Sequence, residues 1–520
     1  MSAAEGTPAG SQTVASVTRG RRLLLTVAVM ASTIMQALDT TIVNVALPHM
    51  QGQLGASSDE IGWVLTSYLV AAAIVMPLTG YFSDRLGRRR YLAAAIVGFV
   101  AASMLCGLAQ NLPQIVLFRL LQGAFGAALV PLAQAILADT YPPHERGHAM
   151  SIWSMGVMLG PILGPSLGGW LTDALSWRWT FFINLPVGVA SLWLVLRYCP
   201  DTERRARSMD WVGLSLISIA VGGTQLVLDR GNEDDWFSSR FILLAALAAA
   251  VALVGFVAYA LTTARKPVFD LGVFRDRNFL SASLVTMVMG LSMFGATFAQ
   301  PILLEKLLDY PTVTAGLVMA PRGLATMLSM RFAGRLIGRF DTRAIVTAGV
   351  LLSAWGSFQM SRYNLEIAPW DAIWPTLFQG LGLGLIYVPL AALQLATLPP
   401  ALSAEAAGLG SLLRTLGQSL GISIVSTLLT RLGQSEWAQL GGHINPYDPA
   451  LRVWLHAHGL SSVDAHTAPL LGLELSRQAQ MLALINVMQF IGWSALAMLP
   501  LIPLVRPMPR GRPAETLVLE

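Results

Sequence analysis

The chain alternates between apolar runs of about 20 residues and short polar turns, from Leu23 to Arg506. A run of that length, wound as a helix, crosses a hydrocarbon layer of ~30 Å. In lipid every backbone N–H and C=O must be satisfied within the segment, and a helix does this. The short alternating segments of an outer-membrane barrel are absent. About fourteen runs can be counted by hydropathy. They begin near Leu23, Ile61, Tyr91, Gln114, His148, Trp179, Trp211, Arg240, Phe279, Thr312, Ala344, Ala372, Gly408 and Met481. The pattern predicts an all-α polytopic membrane protein with about fourteen transmembrane helices.

The polar turns fix an expected orientation. Gly80–Arg90 reads G-Y-F-S-D-R-L-G-R-R-R, a tight basic turn between two apolar runs. Arg19, Arg21, Arg22, Arg85, Arg88, Arg89, Arg90, Arg146 and Arg197 fall on one side of the membrane. So do Arg204, Arg205, Arg207, Arg265, Lys266, Arg275, Arg277, Arg335, Arg339, Arg343, Arg506, Arg510 and Arg512. The opposite side receives roughly a third as many cations, so the positive-inside rule puts both termini in the cytoplasm. The acidic turn Gly231–Trp236 then lies outside. The expected setting is a membrane crossed many times.

Composition agrees: apolar residues make up 54% and charged residues 12%, against about a quarter charged in soluble domains. The net charge of +5 is nearly all arginine at helix ends, and does not point to nucleic acid. Cys106 and Cys199 are too few and too scattered for a disulfide or metal framework. The polar start followed by R-G-R-R and a long apolar run reads as an uncleaved first span.

A weaker echo of the basic turn, Gly334–Asp341, follows the tenth run. It suggests two parallel six-helix repeats with an inserted pair between them, a plan in which substrate binds between the halves near the midplane. The expected divisions are a tail at 1–22, a first bundle at 23–198, linkers with two extra helices at 199–278, a second bundle at 279–505 and a tail at 506–520. A long outer loop is expected at 431–480, with I-N-P-Y-D-P and His443, His456, His458 and His466. Their irregular spacing suggests solvated side chains and no metal site.

Charged residues inside spans cost about 2.5–3.5 kcal/mol each on insertion scales, so they mark function. Asp39, in L-D-T-T-I-V-N-V-A-L-P, stands well inside the first span. Burial disfavours its charge, so it can take a proton from one side and release it to the other. Arg119, in L-F-R-L-L-Q-G, lies at similar depth in the fourth span and can set that proton affinity; the alternative is a structural pair. Arg322 is too deep to snorkel and is expected at the cavity, with Asn44 and Gln122, whereas Arg331 and Arg414 are expected to snorkel. One acid against several Arg favours neutral, amphipathic or anionic substrates.

Gly160, Pro161, Gly164, Pro165, Gly168 and Gly169 line the fifth span, a tightly packed and bendable helix. The embedded G-P-S-L-G matches a nucleophile elbow only formally, because it lacks the strand–turn–helix and a nearby His–acid pair. No enzyme is expected, and no cofactor. Gly80, Asp84, Arg85, Gly87 and Arg88 form an expected inner hinge, in which Asp84 pairs with Arg or caps a helix.

Taken with R-L-L-Q-G-A-F-G-A, G-P-I-L-G-P-S-L-G-G and W-R-W-T-F-F-I-N-L-P-V-G, these strings resemble the fourteen-helix drug–proton antiporters of the major facilitator superfamily, the EmrB/QacA type. The resemblance runs from Leu23 to Arg506. It implies a major facilitator fold and proton-driven export of hydrophobic or amphipathic compounds by alternating access. Asp39 and Arg119 would be the coupling pair, and the fifth span would carry the antiporter motif. The long outer loop looks EmrB-like, which implies a periplasmic membrane-fusion adaptor and an outer-membrane channel as partners. Arg322 and the degenerate second basic turn depart from that pattern. Two rival readings stay open: a proton-coupled nutrient importer on the same fold, and a non-transporting membrane sensor or scaffold.

Overall fold

The computed structural model describes residues 19–506 apart from 143–144, 203, 205–207, 264–268, 338, 443, 446–447 and 458–466. Arg205, Arg207, Arg265, Lys266, His443, His458, His466, Arg510 and Arg512 lie outside the described residues, as do most of the expected terminal tails.

Twelve helices among the described residues are long and apolar enough to cross a membrane. They are α1 (Gly20–Leu54), α2 (Trp63–Leu86), α3 (Arg88–Leu108), α4 (Leu112–Thr140), α5 (Arg146–Ala174), α6 (Trp179–Tyr198), α7 (Trp211–Arg230), α8 (Arg240–Thr262), α9 (Arg277–Leu307), α12 (Pro369–Leu393), α13 (Pro400–Gly442) and α14 (Thr467–Leu504). Two further long helices bring the tally among the described residues close to the expected fourteen spans: α10 (Thr312–Leu336), less apolar because of Arg322, Arg331 and Arg335, and α11 (Thr342–Met360), rich in small and polar residues.

The polar turns set the helix starts chemically. Asn111 accepts from Gln114 N–H at 3.0 Å, Asp210 from Gly213 at 3.0 Å, Asp276 from Phe279 at 2.8 Å and Asp341 from Arg343 at 2.9 Å. Each satisfies a backbone donor that the first helical turn leaves free. Gly87, with φ 80°, ends α2 and turns directly into α3, a conformation that favours glycine.

Packing repeats along the chain. α1 lies on α5 as α9 lies on α13; α2 and α3 flank α4 as α10 and α11 flank α12. Two six-helix bundles result. They cross reciprocally, α2 against α13 and α10 against α5. The two basic-turn glycines sit at these crossings: a Cβ on Gly80 would stand 2.6 Å from Glu405 Cβ, and one on Gly334 2.7 Å from Ser151 Cβ. The inserted α7 packs on α2 and touches α13, where Gln225 donates to Ser419 Oγ at 2.6 Å. α8 packs on α7 and leaves Val251 and Leu261 72% and 74% exposed, as suits a helix facing acyl chains.

The stretch expected as a loop at 431–480 is largely helical. α13 runs on to Gly442, a short helix spans Pro449–Ala457, and α14 starts at Thr467 rather than near Met481. Hydropathy marks where a chain leaves lipid, whereas helix geometry continues as long as the backbone bonds are made.

Candidate functional site

Five helices converge on Asp39. α1 turns this carboxylate into the first bundle, where it is 1% exposed. Arg119 of α4 donates to Oδ2 at 2.7 Å. Gln122 of α4 and Asn184 of α6 donate to Oδ1 at 2.8 and 2.9 Å. Arg119 also donates through Nε to the Val64 carbonyl of α2 at 3.1 Å and through Nη1 to Gln122 at 2.8 Å. Its guanidinium carbon lies 4.3 Å from the Tyr68 ring centroid. Asn184 completes the set by donating to Ser103 of α3 at 2.9 Å. Buried charges of opposite sign are tolerated only when their remaining hydrogen-bonding capacity is also met, and this cluster meets that condition closely.

The structure therefore brings Asp39 and Arg119 together. Gln122, expected at the cavity, is fully buried and joins the Asp39 cluster. Its amide turns inward because it lies three residues, nearly one helical turn, after Arg119. Asn44 is exposed on α1 beyond Asp39. Asn184 was missed; the only signal was a neutral polar residue inside the apolar string W-R-W-T-F-F-I-N-L-P.

On the arginine-rich face the bundles interlock through Arg88. Its guanidinium pairs with Asp139 of α4 and donates to Ser403 Oγ at 2.8 Å and the Pro400 carbonyl at 3.0 Å, both of α13. Ser403 Oγ donates to the same Asp139 carboxylate at 2.8 Å. The Arg88 N–H donates to Thr202 at 3.0 Å. Arg88 thus carries cross-bundle bonds within the expected hinge, and Arg85 is exposed and donates to Tyr81 at 2.6 Å. Asp84 is half-buried on α2. Asp139 and the buried Glu405, which accepts from the Asp270 N–H, were not singled out, since acids near span ends read as solvated.

Gly160, Gly164 and Gly168 form one stripe on α5. A Cβ there would stand 2.2 Å from the Ala37 carbonyl oxygen, 2.0 Å from Thr41 Oγ1 and 2.9 Å from the Ile42 carbonyl oxygen of α1. Thr41 donates to the Gly160 carbonyl at 2.9 Å. Pro161 and Pro165 lie within a continuous helix, and Gly169 meets only Val45, at 3.9 Å.

Three arginines of the second bundle take different places. Arg331 is exposed. Arg322 is 7% exposed and reaches α9, donating to Gln300 at 3.1 Å and the Met293 carbonyl at 3.4 Å. Arg414 does not snorkel. α13 begins at Pro400, which sets Arg414 about 20 Å along the helix, where it is 8% exposed between the bundles. It bonds the Tyr387 hydroxyl beside Trp153. These residues line a small cavity of about 10 Å³ with Gln134, Gln394 and Ser411, about the room one water needs.

Comparison with known proteins agrees with this architecture. The chain matches the model of the Major Facilitator Superfamily over residues 29–422. It is 37% identical to multidrug export protein EmrB of Haemophilus influenzae, over 88% of this chain and 91% of that one. It is 35% identical to fatty acid resistance protein FarB of Neisseria gonorrhoeae, over 91% and 94%. A double-tryptophan mutant of XylE shares the fold at a TM-score of 0.61 and 15% identity, covering 95% of this chain and 97% of that one. On its helices, its two interlocked bundles and these matches, the chain belongs to the Major Facilitator Superfamily.

Proposed function

We infer that this chain is a proton-driven efflux transporter of hydrophobic and amphipathic compounds in the bacterial inner membrane. Similarity to EmrB and FarB over nearly the whole chain supports drug export. The observation that carries the coupling is the closed cluster of Asp39, Arg119, Gln122 and Asn184. A proton arriving at Asp39 cancels the charge that Arg119 and the two amides hold. Those donors then face an uncharged, weaker acceptor, and α1, α4 and α6 can shift against one another more easily. α1 also packs on the glycine stripe of α5, which crosses to the second bundle at α10, so the shift reaches the interface between bundles.

The arginine-rich face is assigned to the cytoplasm, with both termini there. Arg88 and the Gly80 crossing then close the cleft on the cytoplasmic side. The bundles at 23–198 and 279–505 rock about this seam, and the inserted pair flanks it. At about 150 mV one inward charge yields about 3.5 kcal/mol, enough for a few-hundredfold substrate gradient. The EmrB-like outer segment suits a periplasmic adaptor and an outer-membrane channel.

Efflux is tested in cells lacking and overexpressing the protein, against bile salts, fatty acids, uncouplers and cationic dyes, with and without collapse of the proton gradient. Asp39→Asn, at equal membrane abundance, is expected to abolish resistance; full efflux by this variant would remove the coupling role. In inverted vesicles, acidifying the lumen should drive substrate inward for an exporter. The opposite direction would favour import.

A further inference from the structure

The small cavity between the bundles carries chemistry that proton coupling does not use. It is lined from the first bundle by Gln134 and Trp153, and from the second by Tyr387, Gln394, Ser411 and Arg414. The Trp153 and Tyr387 rings stack 5.8 Å apart at 15°. The Arg414 guanidinium carbon lies 5.9 Å from one ring centroid and 6.0 Å from the other. Two buried polar groups on the lining have no partner among the described residues: Arg414 Nε and Ser411 Oγ. The lining contains no Asp or Glu.

A buried cation inside hydrocarbon without a counter-ion is expensive. Arg119 has Asp39 as its counter-ion. Arg322 is bonded to Gln300 and a backbone carbonyl. Arg414 has the Tyr387 hydroxyl and two aromatic faces, with its Nε unmatched at a cavity wall. That pattern of a fixed positive charge, spare donors and aromatic surface is complementary to an oxyanion attached to an apolar body.

We propose that Arg414, with Ser411 and the Trp153–Tyr387 pair, is a binding site for the carboxylate head of an amphipathic substrate. The guanidinium and the Ser411 hydroxyl take the carboxylate oxygens, and the rings flank the adjoining carbons. With the cytoplasmic side closed, the cavity is collapsed to about 10 Å³, so loading requires the bundles to part. The bond from Gln134 Nε2 to the Ala391 carbonyl, 3.2 Å across the interface beside the cavity, is one of the ties that breaks as they do. Both bundles contribute walls, so separation on either side exposes the site to that side. This assignment rests on the export reading above and narrows its substrate class.

The test measures binding of tritiated decanoate and tritiated decyltrimethylammonium to the purified full-length protein in one detergent. Arg414→Gln is expected to weaken decanoate binding about tenfold or more, with binding of the cation unchanged or tighter. Gln134→Glu, which leaves Arg414 in place and adds a carboxylate to the lining, is expected to do the same. Arg414→Lys should retain part of the decanoate affinity. Decanoate binding that is absent in the wild type, unchanged in Gln134→Glu, or lost in parallel with cation binding in that variant overturns the site. Arg414-dependent decanoate binding by a protein that exports nothing from cells would uphold the site and overturn the export reading instead.

Discussion

Asp39 accepts from three side chains while only 1% exposed, so each donor's removal has a definite consequence. Arg119→Met leaves the carboxylate buried without its cation, a change that costs about 3–5 kcal/mol. The melting temperature in detergent should drop, and adding Asp39→Asn should recover much of it. No recovery would mean that the two side chains are energetically independent. At the end of α6, burial pushes the Cys199 thiol up to about 12. The thiolate is the nucleophile, so Cys199 stays protonated and slow toward iodoacetamide through pH 9 in the folded protein. Rapid labelling at pH 8 would contradict this. At this scale the charged residues were legible, since an Asp or Arg inside an apolar run is expensive enough to stand out. Gln122 and Asn184 were not placed in the cluster, because neutral amides occur in spans for many reasons. Hydropathy alone starts the helix of Arg414 near Gly408, eight residues after its actual start at Pro400, and so puts this arginine too close to the membrane surface.

Between elements, the decisive contacts are made where glycine lets a neighbouring helix come close. Lipid supplies little apolar driving force for helices to associate, so close approach over small residues has to hold them together. Gly164 faces Thr41 Oγ1 at 2.0 Å and Gly417 of α13 faces the Met287 carbonyl oxygen of α9 at 2.1 Å, measured from an ideal Cβ. Gly164→Val must drive α5 from α1. It is expected to lower both the membrane abundance of folded protein and efflux, whereas Gly169→Ala, which meets only Val45 at an ordinary contact distance of 3.9 Å, leaves both near wild type. Equal damage from the two would argue against a packing stripe. The glycine–proline string was visible in sequence as a packed helix. Which of its glycines touch α1 followed only from the phase of the helix, read in three dimensions.

At the scale of the whole molecule, the repeat becomes a reciprocal lock: Gly80 of α2 against Glu405 of α13, and Gly334 of α10 against Ser151 of α5, with Arg88 tying the first crossing to Ser403 and Pro400. Arg88→Ala should favour separation on the arginine-rich face. Pulsed EPR between spin labels at Arg90 and Arg339 is expected to show a larger long-distance population in that variant; an unchanged distribution would assign the lock to packing alone. The sequence by itself determined the number of spans to a good approximation, the distribution of basic turns, the existence of the repeat and the identity of the buried acid in the first span. These follow from local rules, since the cost of polar groups in hydrocarbon acts on each segment separately. Only the tertiary structure decided that Asn184 and Gln122 join Asp39, that Arg88 reaches Ser403 and Pro400 across the bundles, and that Arg414 faces a cavity between bundles. Each depends on helix rotation and on partners tens to hundreds of residues away, which no local pattern encodes.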